Sequence, residues 1–295
     1  MVARAKVKSM AEIHPFNHRA MATHFQARIV HEDGRYAAQA AQAAFDLLES
    51  LESRLSRFRP DSDMARAAAL APGETMRLSE PAFACLAIAR KIEEATHGAF
   101  SPTPAALQTQ ESMPQWELLK NQQSIRCKLG RLQFDLGAIG KGFALDRMAE
   151  LLGEWDCPSF LLVAGGSSIL AGGPPTGAAG WSCGLGDDDA PQRCLLAHAS
   201  LSGSGLAVKG QHILDPRTGR PALRRMRAWV LADSAAESDA LSTACMVLSE
   251  PELEAVLAQE HSWLAFLETD QGARSMGNRS LPPGFFVPHS RGVAL

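Results

Sequence analysis

The sequence predicts an α+β fold, on three observations. Two long segments in the first half repeat apolar residues every three and four positions, the period of an amphipathic helix. Short apolar runs of strand length, bounded by Gly, Pro and Asp, are spread along the chain. The two kinds of segment do not alternate as regular βαβ units, which argues against a doubly wound parallel sheet. A length of 295 residues is enough for one large core or two small ones.

Residues 1–19 read as a flexible N-terminal arm, 20–269 as one folded domain and 270–295 as an irregular C-terminal tail. His24 to Val30 alternates as a strand, and Asp33-Gly34 marks a turn. From Ala37 to Phe58 the positions Ala41, Phe45, Leu48, Leu51, Leu55 and Phe58 form one helix face, which Pro60 ends. Asp61-Ser62-Asp63 caps a short helix, and Pro72-Gly73 is a loop. Ser79 caps the second long helix, with Pro81 in its first turn. Its stripe is Phe83, Leu86, Ile88 and Ile92, and it stops near His97-Gly98. Residues 104–124 are polar and carry few strand signals.

Leu132-Gln133-Phe134 reads as a strand that turns through Gly137, Gly140 and Gly142 into a helix over Phe143 to Leu152. Phe160 to Val163 is a continuous apolar strand, and the Gly-, Pro- and Ala-rich residues 171–180 are loop. Trp181 to Leu185 and Cys194 to His198 read as a hairpin around Asp187-Asp188-Asp189. Residues 201–210 are rich in Gly and Ser. Arg227 to Ala232 is a strand, Ser238 to Ser249 and Pro251 to Gln259 are helices, and Trp263 to Leu267 is a closing strand.

The formal net charge of −3 sets up no bulk basic field for nucleic acid or an anionic membrane. Arg217, Arg220, Arg224, Arg225 and Arg227 read as a solvated face. Six cysteines, at 85, 127, 157, 183, 194 and 245, form no C-x-x-C pair and have no histidine at zinc-finger spacing. They fit buried, reduced thiols. The basic N-terminus lacks an apolar h-region, and no apolar run reaches membrane-spanning length. The expectation is a cytoplasmic protein.

Three polar segments carry candidate chemistry. In DLGAIGKGFALD, Asp135 to Asp146, three glycines allow close backbone approach to a ligand. The helix N-terminus behind them favours phosphate, and Lys141 adds a cation. The spacing is neither that of a P-loop nor G-x-G-x-x-G; the alternative is a plain strand-to-helix turn with a solvated lysine. In SDALSTA, Ser238 to Ala244, Asp239 and Thr243 are four apart and share a helix face. Their oxygens suit a hard cation such as Mg2+; otherwise Asp239 answers the helix dipole and Thr243 bonds back to a carbonyl. In QHILDPRTG, His212 is the best general-base candidate among nine histidines, set beside ordinary Asp-Pro and Thr-Gly turn chemistry.

Taken together and in this order, the segments resemble the ApbE family, the FAD:protein FMN transferases, whose signatures include D-L-G-G-I-A-K-G-Y-A-V-D, H-H-I-L-D-P-R-T-G and A-D-A-L-S-T. Further pieces fall in sequence. Ala20-Met21-Ala22-Thr23 is similar to A-M-G-T, Leu55-Ser56-Arg57-Phe58 with Ser62 to L-S-x-Y…S, and Thr96 to Thr103 to T-x-G-A-F-D-P-T. Gly203-Ser204-Gly205 is similar to T-S-G. The resemblance runs from about Met21 to at least Val247.

It implies an α+β fold of mixed and antiparallel sheets with flanking helices, and an FAD and metal site in a cleft. The implied activity is Mg2+-dependent transfer of FMN from FAD to a Thr or Ser hydroxyl of an acceptor protein bearing a D-x-x-[ST]-G-A-[ST] motif, with release of AMP. Matched positions imply Mg2+ held by Asp239, Thr243 and the carbonyl of Ala138. They imply an FAD pocket lined by Met21, Phe58, Ala99, Phe100, Ser101, Asp135, Lys141 and Ile213, and His212 as the group assisting the acceptor hydroxyl.

Four positions depart from the pattern. Ser101 stands where the family has Asp, Phe58 lacks the usual aromatic hydroxyl, Ser167 replaces the Asp of G-G-D, and Gly203 replaces the Thr of T-S-G. A non-catalytic FAD-binding protein, or a pyrophosphatase releasing FMN and AMP, are the alternatives these departures leave open.

Overall fold

A computed structural model describes residues 11–104, 115–185, 192–206, 213–270 and 272–287. Strands β1 (Glu12–Ala20) and β2 (Thr23–His31) pair antiparallel across the two-residue turn Met21-Ala22. Helix α1 (Gly34–Leu55) starts where the Asp33 side chain accepts the N–H groups of Arg35 and Tyr36. Helix α2 (Asp63–Ala68) is capped by Ser62, and α3 (Glu80–Ala95) by Ser79 with Pro81 in its first turn. A small sheet in the order β3-β5-β4 is formed by β3 (Thr75–Arg77), β4 (Gln115–Leu119) and β5 (Ser124–Leu129). Helix α4 spans Gly140–Glu154.

The strands that follow are β6 (Phe160–Ala164), β7 (Ser168–Ala171), β8 (Trp181–Leu185), β9 (Gln192–Leu196), β10 (Ala199–Gly205) and β11 (Arg227–Ala232). Helices α5 (Ala235–Val247) and α6 (Glu250–Leu257) precede β12 (Leu264–Thr269), β13 (Gly272–Gly277) and β14 (Phe286–Val287). The central sheet has eight strands in the order β1-β2-β6-β7-β10-β11-β12-β13, and each of its neighbouring pairs is antiparallel. A second small sheet runs β14-β9-β8.

Side-chain alternation along the strands divides the protein into layers. Phe25, Ala27, Ile29, Leu162, Val230 and Ala265 join the main core with the apolar faces of α1, α3, α4 and α5. The sequence neighbours Leu161, Leu231 and Leu264, with Leu201 of β10, face the other way, onto Trp181, Cys183, Leu185, Cys194 and Leu196 of the β8–β9 hairpin. The site lies on the helix side, where α4 and α5 cross over the central strands.

The expected α+β class, both long helices and the β8–β9 hairpin are present. Other expectations are corrected. Residues 12–19 are not an arm, because β1 zips along the full length of β2 and takes the sheet edge, where Pro15 is tolerated. Residues 1–10 lie outside the described residues. The tail beyond 270 contributes β13 and β14, each paired to a strand already present. Leu132 and Phe134 are buried, but the segment has no ladder partner and is not a strand. Strands β4 and β10 arise in stretches read as polar or glycine-rich, and β5 and β7 in stretches given no strand reading. Among the described residues no helix is long and apolar enough to cross a membrane.

Candidate active site

The site is built where α4 meets α5. Ser234 caps α5 by accepting the Glu237 N–H. From α4, Asp146 clamps the same helix start: Oδ1 accepts the Ala235 N–H at 2.7 Å, and Oδ2 accepts the Ala236 N–H at 2.9 Å and the Ser234 hydroxyl at 2.7 Å. Burial is the largest influence on Asp146 and raises its pKa, with the three donors opposing it. Gly142 makes the crossing possible, since a Cβ there would stand 2.0 Å from the Ala235 carbonyl oxygen.

This crossing sets Asp239 of α5 against the first turn of α4. The carboxylate is 3% exposed. Oδ1 accepts the Ser168 hydroxyl of β7 at 3.0 Å, and Oδ2 accepts the backbone N–H of Gly142 at 3.2 Å. Lys141 Nζ donates to both oxygens, each at 3.2 Å, and to the Gly137 carbonyl at 3.3 Å. Gly165, at φ +59°, turns the β6–β7 hairpin beside this lysine, and a Cβ on it would lie 3.7 Å from Lys141 Cδ. One helical turn further on, the Thr243 hydroxyl lies 3.1 Å from that of Ser204 in β10, which is itself 2.9 Å from that of Ser242. Asp239 and Thr243 thus share a helix face, as their spacing predicts. The Gly142 N–H, four residues beyond the half-buried Ala138, is directed to Asp239.

Asp135 opens the glycine-rich turn. Its Oδ1 accepts the Gly137 N–H at 2.9 Å, its Oδ2 lies 3.4 Å from Arg57 Nη1, and its own N–H donates to the Pro102 carbonyl at 2.8 Å. The Arg57 guanidinium in turn lies 4.8 Å from the centre of the Phe58 ring, which is 82% exposed. Phe58 therefore stands outside the α1 core, since α1 ends at Leu55. The loop ending at Pro102 is fastened from α3. Ala99 and Phe100 are buried, and the Phe100 N–H donates to Thr96 Oγ1. The Ser101 hydroxyl donates to Glu93 Oε1 at 2.5 Å and accepts the Thr103 N–H. A carboxylate is therefore present beside position 101, supplied by α3. Burial raises the Glu93 pKa, while Ser101 and Arg90 act in the opposite direction.

Met21 and Ile213 are placed from other parts of the fold. Met21 has φ 49° in the β1–β2 turn, and its N–H donates to Glu52 of α1. Ile213 is buried, with its carbonyl accepting the Ala222 N–H ahead of a turn organised by Asp215. His212 lies outside the described residues. The hydrogen bonds thus unite Asp239 with Lys141 and Thr243 with Ser204; Asp135, Phe58 and Ser101 are linked through Arg57 and the Pro102 carbonyl.

Ser168 and Glu93 were not singled out by sequence reasoning, and Arg57 and Ser204 entered only as members of family-like segments; the partners of Ser168, Arg57 and Ser204 (Asp239, Asp135 and Thr243) are distant in the chain. Asp146 carried a signal, as the closing residue of DLGAIGKGFALD. All six cysteines are buried and free, and burial pushes the thiols of Cys85 and Cys245 up to about 12, so neither is a nucleophile at neutral pH.

The nitrogens beside the Asp239 carboxylate, Lys141 Nζ and the Gly142 N–H, are hydrogen-bond donors. The groups here able to ligate a metal are oxygens, the Asp239 carboxylate and, one turn along α5, the Thr243 hydroxyl. That set suits a hard cation with phosphate oxygens completing its shell. Among the described residues no group of three His, Cys, Asp or Glu gathers as a metal cluster, so softer metals have no comparable site there.

The comparisons with known proteins agree with this architecture. The protein called FAD:protein FMN transferase from Vibrio cholerae is 24% identical over 301 residues, spanning 89% of this chain and 90% of that one. One of the same name from Escherichia coli K12 is 27% identical over 154 residues, spanning 48% of this chain and 44% of that one. The solved structure of the flavin transferase ApbE from Vibrio cholerae superposes with a TM-score of 0.75 at 21% identity, over 90% of this chain and 96% of that one. The sequence profile of the ApbE family matches residues 21–267, which hold the Asp135–Asp146 turn, the Asp239–Thr243 face and the strands that join them. This chain belongs to the ApbE family.

Proposed function

We propose that this protein is an enzyme that transfers FMN from FAD to a Thr or Ser hydroxyl of an acceptor protein, with Mg2+, releasing AMP. The observation that carries the reading is the convergence of Asp239, Lys141 and the first turn of α4 at one point, with Thr243 one helical turn along α5 on the same face. A pyrophosphate needs its charge neutralised and its electrophilic phosphorus held in line with the attacking oxygen. A helix N-terminus, an ammonium and a carboxylate able to bind a hard cation are the parts for that task.

In this reading Asp239, Thr243 and the Ala138 carbonyl would hold Mg2+, which when bound would supply Lewis-acid polarisation of the phosphoryl oxygens. Lys141 and the glycine-rich turn face the pyrophosphate. Phe58, exposed and stacked on Arg57, offers a flat apolar surface for a ring of the dinucleotide. Met21, Ala99, Phe100, Ser101, Asp135 and Ile213 complete the pocket. The acceptor oxygen attacks the FMN phosphorus, and the bond from that phosphorus to the bridging oxygen breaks. AMP leaves with the bridging oxygen, and His212 takes the hydroxyl proton.

The test is an assay with FAD, Mg2+ and an acceptor carrying D-x-x-[ST]-G-A-[ST], read by mass spectrometry. The expected result is an acceptor heavier by one FMN, with AMP released in equal amount. FAD binding with neither adduct nor AMP overturns the transferase in favour of a binding protein. AMP and free FMN without adduct overturn it in favour of a pyrophosphatase.

A further inference from the structure

An ionised carboxylate offers about four lone-pair positions. At Asp239 all of them are taken. Oδ1 accepts Ser168 Oγ and Lys141 Nζ, while Oδ2 accepts the Gly142 N–H and the same Lys141 Nζ. Two of these donors are fixed in place, Ser168 by its strand and the Gly142 N–H by the helix backbone. Lys141 is different. Its side chain is 22% exposed, it reaches Asp239 on a flexible stem, and it occupies one position on each oxygen.

We propose that Lys141 is the resident counter-ion of Asp239, and that a divalent cation gains this carboxylate only when an anionic dinucleotide draws the ammonium away. The proposal rests on the metal reading of Asp239 given above. Removal of the ammonium alone would leave a nearly fully buried carboxylate without a counter-charge, which is strongly unfavourable. Entry of a divalent cation alone would place it against the ammonium. Both penalties vanish when the cation replaces Lys141 on Asp239 while phosphate oxygens receive Lys141. Metal and dinucleotide therefore bind as a coupled pair, each raising the affinity for the other by the same factor. The ammonium also keeps the buried carboxylate neutralised when neither is bound.

The test measures Mn2+ binding to the full chain by electron paramagnetic resonance, without nucleotide and then with FAD. Wild-type protein is expected to bind Mn2+ weakly until FAD is added. Lys141→Met is expected to bind Mn2+ without nucleotide roughly tenfold or more tighter than wild type. Lys141→Gln, which removes the charge but keeps a polar end, is the second variant should the first fail to melt cooperatively. Arg57→Met removes an equal charge from the neighbouring Asp135 and is expected to leave Mn2+ affinity at the wild-type value. Equal affinity in wild type and the folded Lys141 variants overturns the proposal. So does equal tightening in Arg57→Met, which would reduce the effect to bulk charge. Asp239→Asn separates this outcome from failure of the metal reading. If it leaves Mn2+ affinity in the presence of FAD unchanged, Asp239 is not the metal ligand; if it abolishes that affinity while Lys141→Met changes nothing, only the counter-ion proposal fails.

Discussion

Gly142 of α4 abuts the carbonyl oxygen of Ala235 in α5 so closely that a methyl group on Gly142 would stand 2.0 Å from it. The obstacle is backbone rather than a flexible side-chain end, so the helices would have to part. Gly142→Ala is therefore expected to destabilise the fold by about 1–3 kcal/mol, the usual cost of overpacking. It should also weaken the Gly142 N–H bond to Asp239. A thermal melt reads the first effect, and Mg2+-dependent turnover the second. A melting temperature equal to wild type would show that the helix crossing tolerates a side chain.

Asp239→Asn keeps the shape of the side chain but removes the charge that pairs with Lys141. With the proposed metal site lost, FMN transfer is expected to fall by about a hundredfold or more, since metal stabilisation of phosphoryl charge is worth several kcal/mol. Added Mg2+ should not restore it. Steady-state rates against Mg2+ concentration check this, and full activity in the variant would sink the metal assignment.

The Glu93–Ser101 contact makes a signed pH prediction. Burial raises the Glu93 pKa above the ordinary 4.5. The folded state thus holds its proton to higher pH than the unfolded state does. Between 4.5 and the raised value, folding stability falls as pH increases. Glu93→Gln still accepts from Ser101 but has no proton to lose. Its melting temperature relative to wild type is expected to rise as pH increases through that window. A constant difference across the window would show that Glu93 titrates alike in both states.

The β1–β2 turn holds Met21 at φ 49° and Ala22 at φ 56°, both in the left-handed region. An L-residue there costs about 1–2 kcal/mol, against roughly 0.5–1 kcal/mol of extra unfolded-state freedom for glycine. Ala22→Gly is expected to stabilise the protein by about 0.5–1 kcal/mol. Glycine also occupies this place in the A-M-G-T pattern. Chemical denaturation with unchanged m-value measures the gain, and a loss of stability would show that Ala22 is held by packing.

Local signals were legible in the sequence. Ser79 caps the helix it is expected to cap, and Ser62 is the capping member of the expected Asp61-Ser62-Asp63 triplet, because capping involves N–H groups only three residues on. The apolar stripe of α1 is buried at Phe45, Leu48, Leu51 and Leu55. Strand β10 was not legible. It reads ASLSGSG, and Ser200 and Ser202 place hydroxyls on the helix side of a central strand. They are tolerated because Ser238 of α5 lies 3.1 and 2.8 Å away, a partner more than thirty residues along the chain. Strand β1 was missed for a related reason, since an edge strand exposed on one face gains its order from the partner it pairs with.

By itself the sequence determined the helix periods and caps, the glycine turn before α4, the Asp239–Thr243 face and the family. Those features depend on spacing within a few residues. Tertiary structure alone decided that Lys141 lies on Asp239, that Ser168 fills the same carboxylate, and that Asp146 starts α5. Each of these contacts joins groups from separate elements. Their meeting depends on how α4, α5 and the central sheet pack, and local chain geometry does not encode that.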